Sequence, residues 1–385
     1  FQSNTYPQTY NQVEQATKTD QWINSNVDLR GKVAQTGFFA SVSHAKQAGA
    51  FRFLNGYERN SGRLNVDQLI GSKLSLQATS FYSTQKEDGA NQEGGTGFFR
   101  LSRSPAFVDQ SLRDAQGRLY IRSDPLNQGS QNGNPLYYLE AYDQAIYGTR
   151  FLGSLQARYS ALDWLDFNGD FAYDRGTSYT TWLQDRGFRT TDVDQSTANG
   201  FVQNSSGDSR SLNTSVGAAA RPRFFNNLSS TFTAQVLYDA QDGLNQTGYG
   251  ERLTVPGLLT LDAASLNKDI TSGVSDVRSL SYRGGADFEY DDRYIVSFSM
   301  RREGSSLFGS NQRWSSFPRI AGAWIASAEP WWPVPALSLA KLRAAWGKAG
   351  QRPSTTAQYE TFTVDRSNGN LVANTLGNPN LRPEI

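Results

Sequence analysis

Between Ser281 and Gln351 the side chains change character at almost every step, and this alternation sets the class of backbone. Ala286, Phe288 and Tyr290 alternate with Asp287, Glu289 and Asp291. A tight turn at Asp292–Arg293 follows. Then Tyr294, Val296, Phe298 and Met300 alternate with Ile295, Ser297, Ser299 and Arg301. Successive side chains of a strand point to opposite faces, so each segment predicts a strand with one apolar and one mostly polar face. A soluble antiparallel sheet gives the same alternation, with core on one side and water on the other. How long the pattern lasts, and how it is punctuated, must decide between the two.

The pattern lasts through the chain. Leu64 and Val66 oppose Asn65 and Asp67; after a turn near Gly71, Leu74, Leu76 and Ala78 oppose Ser75, Gln77 and Thr79. Phe151, Leu155, Ala157 and Tyr159 lead into a turn at 162–164, and Leu165, Phe167, Phe171 and Tyr173 lead out of it. Leu212, Val216 and Ala218 precede a turn at Asn226–Asn227, and Phe232, Ala234, Val236 and Tyr238 follow. Ile320, Gly322 and Trp324, then Leu342, Ala344 and Trp346, continue the series. The best helix candidate is Pro135–Tyr147.

Connections alternate in length. Short turns fall near 71, 163, 226 and 292. Between them lie long segments rich in Gly, Asn, Ser, Gln and Asp, at about 87–145, 179–208, 241–278 and 303–315. Long structureless loops argue against an ordinary compact domain. Short turns on one rim and long loops on the other are the pattern of an outer-membrane barrel. The segment 327–338 belongs on the short-turn side: its prolines forbid ladder pairing, and Trp331–Trp332 suit the headgroup level.

Composition permits this. Mean hydropathy is −0.57, and no run approaches the roughly 18 apolar residues of a membrane helix. A barrel strand needs only about 10 alternating residues. Trp 8, Tyr 18 and Phe 22 suit interfacial girdles; they also suit a carbohydrate-binding β protein. Cys 0 excludes a disulfide framework and thiolate metal sites. A net charge of +1 gives no general pull toward nucleic acid.

Four segments then resemble, in order, the signatures of SusC/RagA-type TonB-dependent outer-membrane transporters. Arg301–Gly309 (RREGSSLFG) is similar to their R-D-G-S-S-x-F-G, through Arg301, Arg302, Gly304, Ser305, Ser306, Phe308 and Gly309. The next stretch carries Phe317, Pro318 and Trp324 of their F-P…W segment. LRAAWGKAGQ supplies Leu342, Arg343, Gly347, Gly350 and Gln351. LGNPNLRPE supplies Asn378, Pro379, Leu381 and Glu384. Ala345 and Ala349 stand where Ser and Thr are commoner, and Asn134–Tyr138 (NPLYY) resembles a further family segment.

The resemblance implies an all-β transmembrane antiparallel barrel, here roughly 12–14 strands at about 10 residues each, out of a larger plugged barrel. Residues 1–385 are then part of that barrel, with the plug domain, the TonB box and the C-terminal strands outside this chain. An open curved sheet is expected, its edges near Asn24–Arg30 and Gln358–Val364. By the same resemblance the protein sits in the outer membrane of a Gram-negative, Bacteroidetes-like cell and is not an enzyme. It imports nutrients, glycans or oligopeptides, with a SusD-like surface lipoprotein and the TonB complex as partners. Its other contact is outer-membrane lipid; no cofactor is implied. Two rivals stay open: a siderophore or vitamin receptor of the wider TonB-dependent class, and a surface carbohydrate-binding β protein. A neighbouring SusD-like reading frame separates the first, and heat-modifiable gel migration the second.

Candidate sites follow. Tyr137, Tyr138, Tyr142, Trp182, Arg186, Tyr249 and Arg252 lie in the expected long loops, where rings and cations suit capture of a sugar or peptide, or packing of the loops themselves. Asp166, Asp170, Asp174, Asp287, Glu289 and Asp291 could pair for glycoside hydrolysis, but a wet lumen explains them without chemistry. His44 is the single histidine and has no G-x-S-x-G elbow to serve. Asn127–Asn134 and Asn368–Asn370 could offer oxygens to Ca²⁺, but turn chemistry accounts for them. Gly94–Gly97 lacks the strand-to-helix setting of a phosphate loop.

Overall fold

A computed structural model describes residues 8–88, 99–122, 133–187, 199–258, 260–334, 336–353, 357–365 and 368–384. The glycine run 94–97 and most of 127–134 lie outside them. Among the described residues no helix is long and apolar enough to cross a membrane, which says nothing about a barrel.

Strands β1 (Trp22–Val33), β2 (Thr36–Gln47), β3 (Tyr57–Ile70) and β4 (Leu74–Asp88) form a meander. It continues through β5 (Tyr142–Leu162), β6 (Leu165–Gln184) and β7 (Phe201–Ala220), with β8 (Arg223–Phe225) as a short extension. It ends in β9 (Leu228–Leu253), β10 (Ala264–Tyr290), β11 (Tyr294–Ser305), β12 (Trp314–Ile325) and β13 (Lys341–Gly347). All are joined antiparallel in one sheet of order β1-β2-β3-β4-β5-β6-β7-β9-β10-β11-β12-β13, β8 pairing with β9. β14 (Thr361–Val364) and β15 (Leu371–Thr375) make a separate hairpin.

The predicted turns close where expected, on residues that tolerate positive φ. Gly71 has φ 60°, and Asp291 and Asp292 have φ 54° and 55°; Asp reaches this region more readily than most residues. These turns share one rim. Lys73 Nζ donates to the Ala161 carbonyl at 2.9 Å. The Arg221 amide donates to Trp164 O at 2.7 Å, and the Asp291 amide to Asn227 O at 2.9 Å. The 326–340 connection joins this rim too: Glu329 accepts from Arg293 Nη1 at 2.8 Å and from the Tyr294 hydroxyl at 2.6 Å.

Registry turns the alternation into two continuous faces. Gly31, Phe38, Val66, Ala78, Leu155 and Phe171 are successive partners from β1 to β6. The same row runs on through Thr214, Tyr238, Leu280 and Gly304 to Trp314. On this face Phe171 is 46% exposed, Val296 49%, Phe298 48% and Ile320 49%. A soluble core would bury them, and a contiguous exposed apolar sheet marks contact with another phase. The polar face is the concave one: a single cleft of about 550 Å³ takes Lys32, Asp67, Gln77, Arg158 and Asp170 from separate strands.

Three expectations need correction. The long loops at 179–208 and 241–278 shrink to 185–200 and 254–263, because β6, β7, β9 and β10 run on through them. Ser, Thr, Asn and Gln keep strand pairing while both faces meet water, so alternation fades before the ladder ends. The helix covers only Pro135–Ala141, and Tyr142 already opens β5. The last edge is β13, not the segment near 358–364, whose β14 pairs with β15 alone. β1 and β13 do not pair with each other, so these strands form an open wall.

Candidate functional site

Among the described residues, two buried hydrophobic clusters lie at the long-connection rim. In the first, Ala16 of the helix Gln12–Ala16 packs with Leu101, Leu119, Ile121, Leu136 and Tyr137. Asn134 sits at the start of the helix Pro135–Ala141. Its Oδ1 accepts from the Leu136 amide at 2.9 Å and its Nδ2 donates to Gln110 O at 2.8 Å, so it caps and clasps its own segment. Tyr137 is 0% exposed, which leaves no ring face for a ligand. Tyr138 lies half-buried with the Arg100 guanidinium 4.7 Å from its ring centre. Of Tyr142 only the backbone is described.

The second cluster packs Leu183, Val202, Leu253, Ala263 and Ala264, and the other four sequence candidates flank it along the chain. Trp182, Gln203 and Tyr249 are register partners on β6, β7 and β9, on the concave face. Phe201 lies between the two rings, edge-on to Trp182 at 5.1 Å and 5.9 Å from Tyr249. The Tyr249 hydroxyl donates to Glu251 at 2.7 Å. Burial and that carboxylate push its phenol above the ordinary range. Arg186 Nη1 donates to Thr254 O at 2.9 Å, and the Arg252 amide to Gly200 O at 2.9 Å. Arg118, next to Leu119 of the first cluster, donates Nη1 to Gly187 O at 2.6 Å. The sequence reading missed Phe201 and the fully buried Gln184 because they lie where strand alternation had faded.

The motif residues form a third arrangement. Phe308 is 1% exposed. The Gly309 amide donates to Leu381 O at 2.9 Å, Asn311 to Pro379 O at 3.0 Å, and the Gln351 and Glu384 backbones exchange bonds at 2.9 and 3.2 Å. A Cβ on Gly309 would strike the Pro379 carbonyl, and one on Gly350 would meet the Phe317 ring at 2.6 Å. Arg301 bonds Glu303 at 2.9 Å on the concave face. Arg352 reaches the same carboxylate at 2.5 Å and Ser279 Oγ at 3.0 Å. Three motifs distant in sequence thus tie into one knot against β11. Trp324 serves the other rim, donating to Glu329 at 2.9 Å, and Leu342, Arg343 and Gly347 lie in β13. Glu303 and Arg352 are absent from the sequence candidates, although Glu303 stands where the signature has its Asp.

Of the carboxylates weighed for catalysis, Asp166, Asp170, Asp174 and Asp291 are engaged by neighbours, while Asp287 and Glu289 lie on the concave face of β10. Asp166 accepts from Arg158 at 2.9 Å and Arg221 at 2.6 Å. Asp170 accepts from Ser215 at 2.8 Å, and Asp174 pairs with Arg150 at 2.6 Å. His44 Nδ1 lies 2.8 Å from Asn60 Oδ1.

No family model matches the chain. A TonB-dependent receptor of Formosa agariphila is 22% identical over 347 residues, 86% of this chain and 32% of that protein. The TonB-dependent receptor SusC of Bacteroides thetaiotaomicron is 39% identical over 74 residues, 19% of this chain and 7% of SusC. The chain therefore spans about a third of the length of that Formosa agariphila receptor. Among solved structures, the RagAB peptide transporter superposes with TM-score 0.80 at 18% identity, over 98% of this chain and 42% of that one; this shows the fold. The ordered motifs and the curated relatives are thus similar to TonB-dependent receptors of the SusC type, and the fold of the chain is that of part of the RagA barrel wall.

Proposed function

We propose that this chain is barrel wall of a nutrient importer, taking up oligopeptides or glycans across the outer membrane of a Bacteroidetes-like cell. The observation that carries the reading is the outward face. Tyr290 and Tyr294 stack at 6.3 Å near the short-turn rim, with Trp324 and Trp331 at 6.1 Å beside them. Tyr282 and Trp314 stack at 5.8 Å farther up. Eight residues separate Tyr282 from Tyr290, about 27 Å along a strand and about 20 Å in height at a tilt of about 40°. That approaches the apolar band of about 25 Å between the girdles of outer-membrane barrels. β9, with 26 residues, spans roughly 85 Å and stands far above it.

The concave face is then the lumen. Further strands and a plug, elsewhere in the full-length protein, would close the wall and gate it, with TonB supplying the coupling. A SusD-like lipoprotein would seat on the tall rim, and Trp182, Tyr249, Arg186 and Arg252 are the candidates to meet substrate there. The peptide-transporter likeness and the SusC relative support this reading. Deleting the gene should abolish uptake of one class of oligomer and leave the monomer's uptake intact. Affinity purification from membranes should bring down a surface lipoprotein. Unchanged uptake of every oligopeptide and glycan tested, with an iron or vitamin growth defect instead, would favour the siderophore or vitamin receptor.

A further inference from the structure

The outward face changes character at the upper aromatic belt. Just above it, on the same face, lie Arg175 and Arg210, which share Asp208 at 2.7 and 3.0 Å. Arg278 is held by Asp242 at 2.6 Å and Asp276 at 2.8 Å. Those three cations meet three carboxylates. Two more have none: no carboxylate among the described residues pairs with Arg302 or Arg313. Arg302 shares the outward face of β11 with Met300 and stacks over Trp314 at 5.7 Å. Arg313 ends the connection that leads into Trp314. Both are exposed.

A notch of about 300 Å³ opens beside Arg313 on the outward face, its Leu280–Gly304–Trp314 row next above the Tyr282–Arg302 pair. Arg278 and Arg313 bound it, with Tyr238, Leu280 and Trp314 forming its apolar part. Gly304 makes room for it: a Cβ there would press the Trp314 ring at 3.0 Å. The opposite belt is built differently. There Arg293 is spent on Asp291 at 2.6 Å and Glu329 at 2.8 Å. Beside Trp314, by contrast, Arg302 and Arg313 stand without a carboxylate among the described residues.

We propose that Arg302 and Arg313 bind the phosphorylated headgroup of an outer-leaflet glycolipid, whose apolar part rests on Trp314. The proposal rests on the barrel reading for its orientation, with the tall rim outside. Planar guanidinium groups bind phosphate through paired hydrogen bonds. An aromatic ring at the interface holds the apolar part of an amphiphile while its polar edge stays wet. Cations at a membrane surface gain most from an anion fixed in that surface.

The test uses the full-length protein extracted in mild detergent, with native mass spectrometry counting bound lipid. Phosphorylated lipid A, its dephosphorylated form and inorganic phosphate are the probes. Arg302→Gln with Arg313→Gln should lower retention of phosphorylated lipid A by about ten- to thirtyfold, while the Lys pair, which keeps the charge but loses the paired hydrogen bonds, should fall between the Gln pair and the unaltered protein. Arg313→Gln alone, in an exposed connection, should lower it about threefold or more and guards against a folding defect in the double variant. Undiminished retention in the Gln variants overturns the proposal. So does equal binding of the dephosphorylated form, or competition by inorganic phosphate at the lipid's own concentration. Oligomer uptake is expected to be unchanged in these variants. Loss of the importer reading would appear in uptake alone, and loss of this one in lipid retention alone.

Discussion

At the scale of single residues, the glycines of the motif knot are set by close approach. Gly309 meets the 376–384 segment backbone to backbone, with Leu381 N only 2.5 Å from where a Cβ would stand. Gly309→Ala should therefore release that segment, read as faster proteolysis between 348 and 384 while the rest of the wall stays resistant. An unchanged digestion pattern would show that the knot yields. Phe308→Ala empties a fully buried site and should cost about 3–5 kcal/mol, measured by chemical denaturation. Glu329 offers a pH test. Hydrogen bonds from Tyr294 and Trp324, with Arg293 beside them, hold its carboxyl below the ordinary glutamate range. A lowered pKa contributes stability that is present above the ordinary value and lost as pH falls through the native one. The wall should therefore lose heat resistance below about pH 4, and Glu329→Gln should flatten that part of the profile. The motif glycines and prolines were legible because their types carry backbone meaning. The Glu303–Arg352 pair was not, since nothing in spacing announces an ion pair across 49 residues.

At the scale of elements, the lower halves of the strands were readable and the upper halves were not. From Leu165 to Tyr173 one face meets lipid and the other water, so the residues alternate. From Ser205 to Ser211 both faces are wet, and Ser, Gly and Asp show no period although the ladder with β6 and β9 continues. The turns at 71 and 291–293 were legible because Gly and Asp mark positive φ. The helix at 135–141 was overextended because Tyr142, Ile146 and Tyr147 suit either backbone. Phe298→Arg, near the middle of the apolar band, should cost roughly 2–4 kcal/mol in unfolding from lipid vesicles. Ser299→Arg, one residue on and facing the lumen, should cost far less. Equal penalties would mean that the two faces do not see different solvents.

At the scale of the whole molecule, the central claim is that one face of this wall meets lipid and the other a wet lumen. The unpaired edges at β1 and β13 ask for further strands, because an open sheet edge is not tolerated in hydrocarbon. The fold class was legible from alternation, and the inner and outer faces from its phase. Curvature and the knot came only with registry, which sequence periodicity does not carry. The chain has Cys 0, so single cysteines can be placed in it without competing thiols of its own. The most direct measurement puts one at each position from 295 to 300 of the full-length protein in intact outer membranes. Each is then labelled with a water-soluble maleimide and with a bilayer-partitioning one. Positions 296, 298 and 300 should react with the lipid-soluble reagent alone, and 295, 297 and 299 with the water-soluble one. Uniform labelling of all six by the water-soluble reagent would contradict the account.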